Sequence, residues 1–232
     1  TILNYLVLGA DPEVEIKIPD GASVYQIDGI LSEADVLSPG QLIAYTKSSK
    51  SKLEGHLFPD TYRFFTSSTA EEVIAKFLEN FDQKAKPLFG NTTGVLEKEL
   101  TLASLVEKEV PVFSDRQIVA GVLEKRLREN MPLQVDASVC YVKQVRAGKY
   151  TPCHPFAESD FKIDSPYNTY RYRGLPPGPI GSPGVDAIRA VLNPTNSKYW
   201  YYLSDPKSDK TIFSETFEEH TENRAKYLYT PF

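Results

Sequence analysis

An α+β fold is predicted by three features of the 232-residue sequence. Strand-like alternation appears near the two ends of the chain, at residues 13–18 and again at 199–203 and 211–214. Between them, several segments carry apolar residues at helical spacing behind capping signals. A polar tract at 47–52 (Lys-Ser-Ser-Lys-Ser-Lys) then divides a small strand-helix subdomain, 1–50, from a larger mixed helix and sheet domain, 51–232. A cleft is expected at or near their junction.

The small unit opens on residues 13–18, where Val14, Ile16 and Ile18 share one side of a strand. Pro19-Asp20-Gly21 is a turn, and Ser23 caps a helix carrying Val24, Ile27, Ile30 and Leu31. Ser38-Pro39 is expected to open a second short helix through Ala44, with proline at its first position. The segment from Leu53 to Phe64 holds too much Gly, Pro and aromatic residue for a regular element, and reads as a fixed loop. Thr69 and Glu72 form a capping box for a helix with Val73, Ile74, Phe77, Leu78 and Phe81 inside. Phe89 to Gly94 is a break, and its Asn91-Thr92-Thr93 sequon reads as a chance match.

A helix follows through residues 101–109, stopped by Pro111. Ser114 and Gln117 suggest a capping box for the next helix, to about Glu129, with Ile118, Val119, Val122, Leu123 and Leu127 inside. Residues 133–138 are expected to be extended, and 141–161 a long irregular excursion. The Pro- and Tyr-rich stretch 164–184 reads as a rigid loop suited to a cleft wall. Residues 185–192 are a short helix, 199–203 and 211–214 a strand pair across a turn, and Thr216 with Glu219 caps a last amphipathic helix.

Composition narrows the function. A formal charge of −5 with no long basic run argues against nucleic acid as a partner. No stretch approaches the roughly 18 apolar residues of a membrane span, and no signal peptide is visible, so the chain reads either as cytosolic or as trimmed of a targeting segment. Cys140 and Cys153 are the only cysteines; two do not decide the redox compartment. The three histidines, at 56, 154 and 220, have no zinc-ligand spacing, so no metal or cofactor is expected.

The chemistry is placed at Thr101-Leu-Ala-Ser-Leu-Val-Glu-Lys-Glu109. Leu96, Leu100, Ala103 and Glu107 occupy one helical face, so a carboxylate stands where the pattern asks for an apolar side chain. Burial raises a carboxyl pKa, the state a general acid needs. Pairing with Arg116 or Arg126 is the structural alternative. Glu109 points roughly 200° away from Glu107.

Five blocks then appear in a recognisable order: Leu53-Glu54-Gly55-x-Leu57-Phe58-Pro59-Asp60-Thr61-Tyr62, Ala103-Ser104-Leu105-Val106-Glu107-Lys108-Glu109, Leu133-Gln134-x-Asp136, Ser165-Pro166-Tyr167-Asn168-Thr169-Tyr170, and Gly174-Leu175-Pro176-Pro177-Gly178-Pro179-Ile180-x-x-Pro183-Gly184. Together they resemble the endolytic murein transglycosylases of the YceG-like type, over nearly the whole chain. The resemblance implies a membrane-anchored, extracytoplasmic enzyme that cuts peptidoglycan glycan strands internally. It implies a LysM-like subdomain in the first 50 residues, an N-terminal membrane helix absent from this sequence, and cell-wall synthases and division proteins as partners. Carried over by motif, Glu107 is the catalytic acid and then base. Glu54, Asp60, Tyr62, Gln134, Asp136, Tyr167, Asn168 and Tyr170 are expected to meet the glycan. His56, Ala137-Ser138 and residues 140–160 depart from the family pattern, which bears on subsites. Two rivals stand beside this reading: an ordinary glycan hydrolase with Glu107 as acid and Asp136 or Glu109 as base, and a non-catalytic glycan-binding scaffold.

Overall fold

The computed structural model describes residues 11–48, 52–90 and 93–228. Among these, eight α-helices surround two separate antiparallel strand pairs, as an α+β fold requires. In chain order the elements are β1 (Glu13–Lys17), α1 (Val24–Glu33), α2 (Gln41–Ser48), β2 (Thr61–Phe65), α3 (Ala70–Lys84), α4 (Thr93–Glu109), α5 (Phe113–Arg128), α6 (Asp136–Ala147), α7 (Val185–Leu192), β3 (Tyr201–Ser204), β4 (Thr211–Ser214) and α8 (Phe217–Tyr227).

The first unit is βααβ. β1 pairs with β2, Val14 opposite Phe64 and Ile16 opposite Tyr62, so the apolar residues of both strands share the inner face. The unit therefore runs past the expected division at residue 50, to Phe65. The loop read for residues 53–64 ends in this strand: Tyr62 and Phe64 point in, while Thr61, Arg63 and Phe65 point out. Ser23 caps α1 as expected, accepting from Gln26 N–H. α2 starts later than Ser38-Pro39 predicts, because Asp28 of α1 caps it from a distance. That carboxylate accepts from the N–H groups of Gly40 (2.8 Å), Leu42 (3.0 Å) and Ile43 (3.3 Å), so three of the donors that open this helix are already satisfied. The tract read as a linker is only partly described: Lys47 and Ser48 finish α2, and residues 49–51 lie outside the described residues, as do Asn91 and Thr92 of the sequon.

The larger part is built around α4. Leu100, Leu102, Ala103, Leu105 and Val106 are all 1% exposed or less, and the helix lies against α5, α6 and α7. One hydrophobic core runs continuously from β1 and α1 through β2 and α3 to α4, α5 and α7. The Thr69–Glu72 capping box on α3 forms as read. The one on α5 does not: the helix begins at Phe113, and Gln117 instead reaches the Asn193 carbonyl at 2.8 Å, holding the loop after α7. Residues 136–147 are helical rather than extended and irregular. Val135, Val139 and Val142 are buried at helical spacing, and Gly148 closes the helix in the left-handed region.

The 174–184 loop crosses both parts. Ser182 exchanges backbone hydrogen bonds with Gly21 and Ala22. The approach is so close that a Cβ on Gly181 would sit 2.3 Å from the Gly21 carbonyl oxygen. Gly55 is constrained in the same way: its φ is +85°, and a Cβ there would meet Pro179 at 2.6 Å.

Candidate functional site

The last turn of α4 sends Glu107, Lys108 and Glu109 in three directions, since successive helical residues are about 100° apart. Glu107 points inward, its side chain 3% exposed. One carboxylate oxygen accepts from Arg116 Nη2 at 2.5 Å, the other from Gly184 N–H at 3.0 Å. Arg116 is itself tied to the Val110 carbonyl (2.9 Å). Burial raises the Glu107 pKa, while the Arg116 charge and the Gly184 hydrogen bond pull it back. The group is thus a closed ion pair that joins the end of α4 to the start of α5 and the start of α7.

Glu109 points the other way, into a groove of about 1120 Å³. Lys108, Arg126, Gln134, Asp136, Tyr170 and Tyr202 are among its walls, with the β3 hairpin and α8 along one side. Burial pushes the Glu109 pKa up to about 7; Asp136 adds to the rise, and a Tyr202 hydroxyl hydrogen bond and the Arg126 charge oppose it. Burial and Glu109 push the Tyr202 phenol well up in turn. Arg126 cannot drift: its guanidinium donates to the Trp200 carbonyl (2.7 and 3.0 Å) and to the Leu133 carbonyl (2.8 Å). It pins the start of β3 to the segment bearing Gln134. At neutral pH this arrangement offers a carboxyl that can both give and take a proton, near a fixed positive charge, on the wall of the groove.

The residues singled out from the sequence separate into two sets. Gln134, Asp136 and Tyr170 line the groove with Glu109. The Tyr170 hydroxyl donates to Asp136, and Gln134 is held at φ +53°, its N–H on the Thr169 carbonyl at 3.2 Å. The other six do not line it. Glu107 is in its ion pair. Glu54 sits at the N-terminus of α1, accepting from Val24 N–H at 3.1 and 3.3 Å. Burial pushes its pKa up to about 7, against a Tyr141 hydrogen bond and the Lys108 charge. Asp60 binds Lys84 and Asn80. Tyr62 is a core residue, its hydroxyl on the Phe58 carbonyl at 2.6 Å and its ring against Phe64 and Phe77. Tyr167 packs on Tyr141. Asn168 is fully buried, donating to the Phe161 (3.0 Å) and Ile163 (2.8 Å) carbonyls, which fixes its loop.

From the sequence, Glu109 stands only as a rival's base and Arg126 only as a possible partner of Glu107, and nothing there marks Lys108, Tyr201 or Tyr202 as site residues. Helix phase alone turns Glu109 away from the buried face; that the β3 hairpin covers that side is a tertiary fact. The aromatic run 199–203 was the available signal. Cys140 and Cys153 are joined as a disulfide on the groove wall. Among the described residues no group of His, Cys, Asp and Glu is placed to hold a metal ion, and no helix is long and apolar enough to cross a membrane.

Comparison with known proteins gives three findings. The model of the YceG-like family matches residues 1–226. The endolytic murein transglycosylase of Streptococcus pneumoniae D39 is 37% identical over 180 residues, 76% of this chain and 32% of that protein. The Bacillus subtilis protein of the same name is 33% identical over 245 residues, 92% of this chain and 65% of its own. The chain thus spans about a third of the pneumococcal relative and just under two-thirds of the Bacillus one. A solved YceG-like protein from Listeria monocytogenes superposes with a TM-score of 0.73 at 32% identity, covering 96% of this chain and 80% of that one.

Proposed function

The chain belongs to the YceG-like family, and from that membership we propose that it is a lytic murein transglycosylase, with Glu109 rather than Glu107 as its single acid and base. The carrying observation is the placement of Glu109: a carboxyl pushed up to about 7, on the wall of a groove of about 1120 Å³. Glu107 is not among the residues that line this groove and already has two partners.

Protonated Glu109 gives its proton to the glycosidic oxygen as the bond from that oxygen to the anomeric carbon breaks. The 6-hydroxyl of the same sugar then attacks the anomeric carbon and releases its proton to the Glu109 carboxylate. The product is a 1,6-anhydro end, the acid is restored, and no water is consumed. One group suffices because its pKa lies near the working pH, so both protonation states are accessible. Arg126 and Tyr202 hold the carboxyl in place and steady its charged form. Gln134, Asp136 and Tyr170 are the wall the sugar meets.

The βααβ unit is, on this reading, LysM-like and helps hold glycan. The disulfide suits an oxidising, extracytoplasmic setting, and membrane anchoring and cell-wall synthase partners belong to the same proposal. The specific rival is a hydrolase with Asp136 as base, since that second carboxylate lies close enough to raise the Glu109 pKa. Digestion of purified murein strands in isotope-labelled water separates the two. Transglycosylation gives anhydro ends with no label; hydrolysis gives labelled reducing ends and would overturn the proposal.

A further inference from the structure

α8 is an unusual wall. None of its residues is buried, yet it carries one continuous apolar and basic face. Phe217, His220, Arg224 and, just past its end, Leu228 follow a three, four, four spacing and all line the groove. Over the twelve residues from Phe217 to Leu228 that face extends about 16 Å. Phe217 is 59% and Leu228 42% exposed, so the face is not consumed by packing.

What it does contact is the β3 strand that also faces Glu109. The His220 ring lies flat on Tyr201 (5.2 Å between centroids, 22° between planes), and Phe217 meets the same ring edge-on at 5.8 Å. Arg126, whose charge acts on Glu109, also sits over the Tyr201 ring, 5.3 Å from its centroid. Tyr201 thus joins His220 and Phe217 in one aromatic cluster, while Tyr202, the next residue of β3, reaches Glu109. Arg224 stands on the same face, near enough to Tyr170 and His220 to act on them electrostatically. It has no ion pair among the described residues, although the chain carries more acids than bases. Aromatic faces receive sugar rings because the C–H faces of the ring are apolar; a free guanidinium receives carboxylates in a bidentate fork.

We propose that the α8 face forms a distal subsite for the murein strand, in which the exposed Phe217 ring, backed by Tyr201, holds a sugar ring and Arg224 holds a carboxylate of the peptide side chain that the strand carries. The inference rests on the murein reading above and extends it along the groove. The strand lies across Glu109 at one end and is gripped at the other by a wall that takes no part in bond breaking. Strands bearing peptides are then held by two contacts and peptide-free strands by one.

The test uses the whole chain carrying Glu109→Gln, so that strands are bound and not cut, and reads dissociation constants for fluorescent murein strands with and without their peptides. Phe217→Ala weakens both kinds about five- to tenfold, the loss of one ring contact. Arg224→Gln weakens peptide-bearing strands by a similar factor and leaves peptide-free ones unchanged. With Glu109 restored, each variant raises KM and holds kcat. Circular dichroism superimposable on the parent's shows that α8 is intact. Binding of both strands at parental affinity by both variants would overturn the subsite while leaving the murein reading standing. Equal weakening of both strands by Arg224→Gln would overturn the carboxylate contact. A Glu109→Gln parent that binds neither strand would remove the murein reading and the subsite together.

Discussion

Glu107 and Glu109 are two residues apart, are both acids in one helical turn, and live in opposite environments. Glu107 has spent its charge on structure. Removing it as Glu107→Ala leaves Arg116, 11% exposed at its side chain, without its counter-charge, and is expected to cost about 3–5 kcal/mol of stability, read by denaturant unfolding. Glu109 has kept its protonation free. Because the acid must be protonated to start the reaction and its pKa lies at about 7, cleavage is expected to fall as the pH rises through that value; an alkaline limb elsewhere would mean another group sets the rate. Helix phase places Glu107 inside, but it does not distinguish an ion pair from a catalytic acid, because burial serves both. Tyr62 and Asn168 show the same ambiguity: a polar or aromatic residue in a rigid segment can turn inward to satisfy that segment, as both do here.

At the scale of elements, helices that declare themselves locally were legible. α3, α4, α7 and the β3–β4 hairpin lie close to where caps, periodicity and breakers put them. What escaped was set from a distance. α2 begins where Asp28 meets it, and β2 is a strand because β1 lies beside it. α6 was lost although Asp136 and Gly148 bracket it, because its β-branched and aromatic interior does not look helical in isolation. The segment after α6 is held by the Cys140–Cys153 disulfide and by Lys143, which reaches the Cys153 carbonyl (3.2 Å) and Asp160 (3.0 Å). Replacing both cysteines by serine is expected to lower stability by about 2–4 kcal/mol and to raise KM for murein strands, since Tyr150, Thr151 and His154 of that segment line the groove. Unchanged KM alongside the stability loss would confine the bridge to a structural role.

The whole molecule is one core with a groove along it, and the βααβ unit is stitched into that core at two places. The 174–184 loop meets Gly21 and Ala22 through backbone hydrogen bonds. Glu54 meets the N-terminus of α1, with Lys108 above it. Its pKa rises from 4.5 to about 7 through burial, so between those values the folded chain keeps a proton that the unfolded chain has released. That contribution to stability is complete below about pH 4.5 and is lost as the pH rises through 7. Glu54→Gln keeps an acceptor for Val24 N–H and removes the ionisation. The fall in Tm between pH 5 and pH 8 is therefore expected to be smaller in this variant than in the parent; an equal fall would place the linkage elsewhere. The polar tract at 47–52 marks a boundary in composition, but one core runs across it, and packing between distant segments leaves no local pattern.

The most direct measurement is mass spectrometry of the muropeptides released from purified strands by the parent chain, Glu109→Gln and Glu107→Gln at equal folded concentration. Anhydro products should fall about a hundred- to ten-thousandfold with Glu109→Gln and persist with Glu107→Gln, whose amide still accepts from Arg116 or Gly184. Anhydro products that persist with Glu109→Gln and vanish with a folded Glu107→Gln would contradict the assignment of the proton transfer to Glu109.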